Sequence, residues 1–389
     1  MSKAIAADGH APRHPGPRGR YAAAPSQIPF VGWKDVFWRV LSEFSSDRIM
    51  LVAAGITYYL LLALVPSLTA LVSLFSLFAD PVTIGAQIQQ LNAIIPGGAI
   101  NIIDEQLQRL TSQDNTALSF AFILSLGVAL WSTNTGVKAL FDGMNVAYDE
   151  TEERGFIKLT AVSLSFTLIL VVSAMIAVGV MIILPVAFAF IGMDQNTELL
   201  VQILGFAVLL LLISLLLATL YRWGPSRDAA RWRWITPGSV FATFAIIMAS
   251  AGFSFYVANF GSYNATYGSL GAIIGFMTWI WICTTLVLLG AEINAELEAQ
   301  TKLDTTKGAP EKMGIRDAHA ADNLGKPAQD VTVNNQDIEP VNGTESTVNS
   351  SRDTATRSHE QEQGSNWGLA ALALPIAASL TWLAIKERR

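Results

Sequence analysis

The 389-residue chain has a single cysteine, Cys283, which rules out an intrachain disulfide framework and a cysteine-rich zinc site. Histidine is nearly as scarce, and His10, His14, His319 and His359 all fall in polar stretches near the two ends. Charge is missing over long runs. Only 14% of residues are Asp, Glu, Lys or Arg, and the 58 residues from Trp234 to Ala291 include none. As one helix that run would be about 87 Å long, against a hydrocarbon core of about 30 Å, so it must turn back once. The stretch NFGSYNATYGS at 259–269, with its glycines and small polar residues, is suited to the turn. Also lacking are a GxxxxGK[ST] phosphate loop and any Ser, His and Asp set outside the tails, so ATP-driven transport and serine hydrolysis have no signature.

What is present is apolar: 52% of residues are hydrophobic and the mean hydropathy is +0.42. The net charge of −6 says little about partners, because the charges lie in tails and loops. Four further charge-free stretches, Ile49 to Ala79, Ala117 to Val137, Leu159 to Met193 and Leu199 to Tyr221, are long enough to span, making six. The first and third exceed the roughly 20 residues a span needs, so they tilt, kink at Pro66 and Pro185, or project. Lys34, Arg39, Arg48, Lys138, Arg154, Lys158, Arg222, Arg227, Arg231 and Arg233 then fall on one side, and only Arg109 on the other. By the positive-inside rule both ends are cytoplasmic.

The expected fold class is therefore all-α: a polytopic membrane helical bundle of six core transmembrane helices, N-in and C-in, with amphipathic interfacial helices. Four regions are expected: a disordered tail over 1–29, the membrane domain over 30–300, a disordered polar linker over 301–365, and an apolar segment over 366–389. Residues 368–385 are a candidate seventh span, but Lys386, Arg388 and Arg389 follow them, so a re-entrant segment or a tail anchor stays open.

Amphipathic segments flank the spans. Trp33, Phe37, Val40, Leu41 and Phe44 recur at helical spacing opposite Lys34, Arg39 and Glu43, as in a helix lying in the interface. Residues 88–110 read as a helical hairpin over the outer face, broken at Pro96-Gly97-Gly98. In GVKALFDGMNVAYDE, Lys138, Asp142, Asn145 and Asp149 make one polar face, with Val137, Leu140, Phe141, Met144 and Tyr148 on the other. This is either a solvated helix end with Lys138–Asp142 pairing or the lining of a substrate path.

Polar groups at membrane depth supply the remaining candidates. Tyr58 and Tyr59 beside Thr57, and Asn134 among Ser132 to Thr135, either hold helices together or line a cavity. Asn264 sits at the outer turn between Tyr263 and Tyr267. Gly268, Gly271 and Gly275 are expected to allow close helix packing, and Glu292 and Glu296 to mark the cytoplasmic exit. In the 222–234 loop, Arg222, Arg227, Arg231 and Arg233 interleave with Trp223, Trp232 and Trp234. An interface belt with retained positive charge explains this better than stacking on bases.

The blocks AAGITYYLLLALVPSL, WSTNTGVKALFDGMNVAYDE, WGPSRDAARWRWITPGS and YNATYGSLGAIIGFMTWIWICTTLVLLGAEINAELE resemble the YihY/BrkB family of bacterial inner-membrane proteins, some of which have carried the name ribonuclease BN. The resemblance extends over about residues 30 to 300 and implies six spans with both ends inside. It implies roles in envelope resistance and virulence rather than a defined reaction. The residues themselves supply no catalytic set, no metal ligands and no cofactor site, and nucleic acid is not an expected partner. The expected partners are the lipid bilayer, a lipidic or amphiphilic substrate, and a second subunit or envelope protein. The expected function is to move or accommodate such a substrate, with Tyr58, Tyr59, Asn134, Lys138, Asp142, Asn145 and Asn264 lining its path. The alternative is a non-transporting scaffold that recruits envelope partners through its C-terminal tail.

Overall fold

A computed structural model describes residues 15–75, 120–191, 195–260 and 269–328. Two compact units divide the chain, Met1–Asn334 and Asn335–Arg389. The second lies outside the described residues, as do the expected outer hairpin at 88–110 and the segment 368–385. Asn264 and Gly268 fall outside them too. Among the described residues there are eight α-helices and no strand: α1 (Phe30–Ser46), α2 (Ile49–Phe75), α3 (Phe120–Ala147), α4 (Phe156–Ile191), α5 (Gln195–Trp223), α6 (Trp232–Phe260), α7 (Ser269–Glu298) and the short α8 (His319–Asp322).

The long helices are apolar on all sides, as helices surrounded by lipid and by one another are. Stretches within α4, α5, α6 and α7 are long and apolar enough to cross a membrane; a fifth joins them if α1 and the first part of α2 count as one broken span. The expected total of six rests on stretches that extend beyond the described residues. Burial is inverted relative to a soluble protein. Ile157, Met248 and Leu211 are 83%, 73% and 70% exposed, whereas the contacts between helices are made by small residues such as Ala53, Ser163, Thr167, Ala242 and Ala291. Ser163 and Thr167 return their hydroxyl protons to carbonyls of α4 itself, so they can be buried without a penalty.

Helix α7 is central and packs against α6, α2, α1 and α3, while α2 pairs most extensively with α3. The tightest crossing is between α6 and α7. A side chain at Gly238 would run into the Gly290 carbonyl, and one at Gly290 into the Tyr221 hydroxyl and the Gly238 carbonyl, so the backbones meet only because both residues lack a Cβ. By contrast, a Cβ at Gly275 would meet nothing within 4 Å. Gly271 is buried. Gly275 therefore makes no close helix approach, whereas Gly238 and Gly290, which the sequence did not single out, do.

Between α1 and α2 the chain bends by 61°, at Asp47 and Arg48. Arg48 takes a left-handed φ of 51°, which costs a non-glycine residue on the order of 1–2 kcal/mol. Helix α1 turns its charge inward: Asp35 and Arg39 are buried, whereas Phe30, Phe37, Trp38 and Leu41 stand exposed. That is the arrangement of a helix whose apolar face lies in lipid and whose polar face lies on protein.

Both expected tails are partly folded. Residues 15–29 are not a free tail: Ala22 and Ile28 join Val36, Val40, Trp234 and Leu297 in a small apolar cluster. Residues 301–328 are not a linker either. Thr305, Thr306, Asp304 and Arg316 are buried, and Ala230 and Thr306 form an antiparallel bridge. The two strands of chain are laced together, with Lys302 N–H donating to Arg20 O (2.8 Å) and Arg20 Nη2 to Gly325 O (2.7 Å). Each has too few large apolar side chains to build a core, but enough small and polar ones to extend the core beside it.

Candidate functional site

A cavity of about 280 Å³ lies where α2, α3, α4, α5 and α7 meet. Leu60, Leu140, Phe166, Leu170 and Leu217 line it, and Cys283 and Thr284 of α7 are the polar members of an otherwise apolar wall. Hydrogen bonds fix the wall formed by α7. Trp279, which also lines the cavity, donates its indole N–H to Ser250 Oγ of α6 (2.9 Å), and Trp281 donates to Met50 O of α2 (2.9 Å).

Next to the cavity the bundle becomes polar. Tyr221 follows the lining residue Leu220 and donates its hydroxyl to the carbonyl of Val287, another lining residue, at 2.9 Å. Beyond it, the phenol of Tyr148 has Arg227, Glu292, Asn294 and Glu298 for neighbours. Burial, and then the Glu298 charge, push that phenol well above its ordinary pKa. Arg227 Nη2 bonds Glu298 Oε2 at 2.7 Å in a pair that is 2% and 0% exposed, Thr305 Oγ1 donates to the same oxygen at 2.6 Å, and the guanidinium lies 5.0 Å from the Tyr148 ring centroid. Asn294 Oδ1 accepts from the N–H of Gly238 (2.8 Å), just after Pro237 in α6. Five buried atoms here have no partner: Tyr148 Oη, Arg227 Nη1, Glu292 Oε1, Asn294 Nδ2 and Glu298 Oε1. Donors and acceptors are both among them, a set that internal water can satisfy.

On the other flank of α7, Glu296 is ion-paired with Arg39 of α1, whose Nη1 also donates to Gln300 Oε1 at 2.9 Å. Glu43, Asp47 and Asp149 lie close enough for their charges to be felt by Glu296 or by one another. Burial first, and then Glu296 and Asp47, raise the Glu43 carboxyl above its usual range. Glu292 and Glu296 therefore do not simply mark an exit into solvent: Glu292 is buried and Glu296 is held by an arginine. Among the described residues no three His, Cys, Asp or Glu side chains converge as a metal ion would require.

None of the described path residues expected from the sequence lines the cavity. Tyr58 and Tyr59 are 55% and 48% exposed on the bundle's outer surface and pack edge to face, 5.5 Å apart. Asn134 is buried and accepts from Thr167 Oγ1 of α4 at 3.2 Å, which makes it a link between α3 and α4. Lys138 reaches Thr160 Oγ1 at 3.0 Å, with its ammonium 5.9 and 5.2 Å from the Trp131 and Phe156 ring centroids. Asp142 is exposed. Asn145 is buried: its Oδ1 accepts from Ser226 N–H (2.7 Å) and its Nδ2 donates to Glu152 (3.1 Å). The apolar face of α3 does face inward, with Val137, Phe141, Met144 and Tyr148 all buried.

Glu152 is braced further by Arg154, whose Nε and Nη2 bond its two oxygens at 2.7 and 2.6 Å. Burial works to raise the Glu152 carboxyl, but the bonds from Arg154 and Asn145 overcome it and hold the group at about 2, below an ordinary 4.5. With the folded value below the unfolded one, this brace is complete above pH 4.5 and is lost as the pH falls through about 2. Glu152→Gln should accordingly lower the thermal midpoint at pH 6, and the gap from wild type should close as melts are taken toward pH 2.

Comparison with known proteins is consistent with this architecture. The family model for virulence factor BrkB matches residues 40–315. A Bacillus subtilis protein, YfkH, whose name describes it as ribonuclease-like, is 32% identical over 64% of this chain and 90% of its own length. A UPF0761 membrane protein of Chromobacterium violaceum is 26% identical over 66% of this chain and 60% of its own. One from Neisseria meningitidis serogroup B is 28% identical over 67% and 62%. The chain thus spans only about three-fifths of the last two. No solved structure matches it. With its apolar helices and a family match across most of the described residues, the chain belongs to the BrkB family of multi-pass inner-membrane proteins.

Proposed function

We propose that this protein takes up the acyl portion of an amphiphilic or lipidic molecule within its bundle, and moves or holds that molecule in the service of the cell envelope. The apolar cavity at the meeting of five helices is the observation that carries the reading. Its 280 Å³ falls just below the roughly 300–1,000 Å³ typical of small-molecule sites, room for part of an acyl chain, and its wall suits hydrocarbon. Membrane bundles are held together largely by van der Waals contact between helices, so a void there forgoes contacts that a lipid chain would supply. In the N-in, C-in orientation with six spans, the Arg-rich loop at 222–233 is cytoplasmic, and Leu140, Leu220 and Val287 put part of the cavity wall near that side. Nuclease chemistry, which the Bacillus relative's name brings to mind, gains no support from carboxylates engaged with Arg39, Arg154 and Arg227.

The test is lipid movement in reconstituted vesicles. Wild-type protein should speed exchange of a fluorescent phospholipid between leaflets, and Leu217→Trp, which fills the cavity from α5, should remove most of that acceleration while preserving the fold. If wild type and Asp142→Ala both leave exchange at the rate of empty vesicles, the reading fails. Loss of the cellular phenotype on deleting 329–389, with Leu217→Trp harmless, would favour the scaffold instead.

A further inference from the structure

The corner between α5 and α6 holds an arginine that neither the fold nor the cavity accounts for. The Arg222 guanidinium sits 4.9 Å from the Trp232 ring centroid and 5.6 Å from that of Trp223. The two indoles meet edge to face at 5.8 Å and 90°, and are 43% and 47% exposed. Arg222 Nη1 donates to Ala230 O, its Nε has no acceptor, and no carboxylate among the described residues pairs with it. With Nη1 bound and Nε buried without a partner, Nη2 is the nitrogen through which the guanidinium can meet a phosphate from outside.

Basic residues predominate around it. Arg231 gives its Nε to Thr306 O (2.8 Å) and pairs with no acid among the described residues, and Arg233 is exposed. The loop's one acid, Asp228, already faces Lys307 at 3.9 Å. Of the acids on adjoining segments, Glu152 is committed to Arg154 and Glu298 to Arg227, while Glu153 and Asp317, which bond the loop through their backbones, are exposed.

The surface leading to this corner is hydrocarbon-facing. On α5, Leu211 and Leu215 lie on the stripe that ends at Arg222 and are exposed; on α6, Val240, Phe244 and Met248 are exposed as well but wind away from Trp232 around the helix. The α5 stripe ends at the arginine, at the end of the helix, where tryptophans of membrane proteins meet lipid headgroups. We infer that the Arg222, Trp223, Trp232 and Arg233 corner binds the phosphate of an anionic phospholipid of the inner leaflet, with the acyl chains lying along α5. A base-stacking surface fits less well, because the exposed indoles adjoin the apolar α5 stripe rather than a polar groove. This site is independent of what the cavity takes.

The test uses the full-length protein, stripped of lipid in neutral detergent and titrated with phosphatidylglycerol or with phosphatidylcholine of the same chain length, with bound lipid counted by native mass spectrometry. Phosphatidylglycerol should be retained in preference. Arg222→Gln and Arg233→Gln should each weaken its retention about fivefold, the worth of one cation near a lipid surface. Arg222→Lys should keep part of it. Should Arg222→Gln fail to fold, Arg233→Gln and Trp232→Leu carry the measurement, since neither removes the bond to Ala230. Leu217→Trp should change nothing here, so this inference and the cavity reading fail separately. Equal retention of the two lipids, or no effect of the three variants, would overturn the proposal. So would displacement by millimolar inorganic phosphate, which would make the corner a free-phosphate site, or Trp232-dependent binding of single-stranded RNA in place of lipid.

Discussion

Arg227→Ala is expected to cost about 3–5 kcal/mol of stability, enough to lower the melting temperature of the detergent-solubilised protein sharply in a tryptophan-fluorescence scan. The size comes from what is left behind rather than from what is lost. Glu298 is 0% exposed and would remain as a buried charge, with only the hydroxyl of Thr305 bonded to it. The other carboxylate oxygen, Glu298 Oε1, already has no partner in the protein, so removing Arg227 leaves the charge still less compensated. Glu298→Ala should be comparably damaging by the same reasoning. The double variant Arg227→Met with Glu298→Leu should recover most of the loss, since replacing both members of a buried pair with apolar groups is often neutral. If the double variant is as unstable as either single one, the pair is not the isolated unit described here.

Gly238→Val should be the most damaging single change in the helix crossings, at about 1–3 kcal/mol and at the upper end of that range. The nearest atom that a side chain would meet, the Gly290 carbonyl oxygen, is backbone of α7 and cannot swing aside, and the Asn294 amide could do so only by giving up its bond to α6. Separating α6 from α7 would also break the bond from Gly238 N–H to Asn294 Oδ1. Gly275→Ala is the control: with nothing within 4 Å of its Cβ, the change should be neutral, or stabilising by up to about 1 kcal/mol through helix propensity. Parallel melts of the two variants would show whether a helix glycine matters only where it meets a neighbouring backbone.

The apolar runs and the two faces of α3 could be read in the sequence because each is a local pattern of one helix. The polar layer could not. Glu292 with Glu296, and Asn294 with Glu298, are two i,i+4 pairs set about 200° apart on α7. A helix leaving the membrane into water needs no polar residue in any particular place, so one pair alone looks like an ordinary exit. Polar residues on both flanks, at the level where Ala291, Ala295 and Leu297 are still buried, mean that protein surrounds the helix, and this was the signal available. The Gly238–Gly290 contact joins glycines 52 positions apart and has no local trace at all. For the segments 15–29 and 301–328, composition showed that neither can build a core alone, which is a different matter from being unable to join one.

The lacing of those two segments also has a consequence in time. Gln300 Nε2 bonds Arg18 O across 282 positions, and Arg20 Nη2 bonds Gly325 O across 305. At about 5–20 residues per second, the ribosome delivers Gly325 roughly 15–60 s after Arg20, by which time every helix from α1 to α7 has been made. Some of the first residues synthesised therefore wait for some of the last, and a chain halted before Lys326 would have its helices complete while Arg39 still lacked the carbonyl that its Nη1 bonds at 3.1 Å.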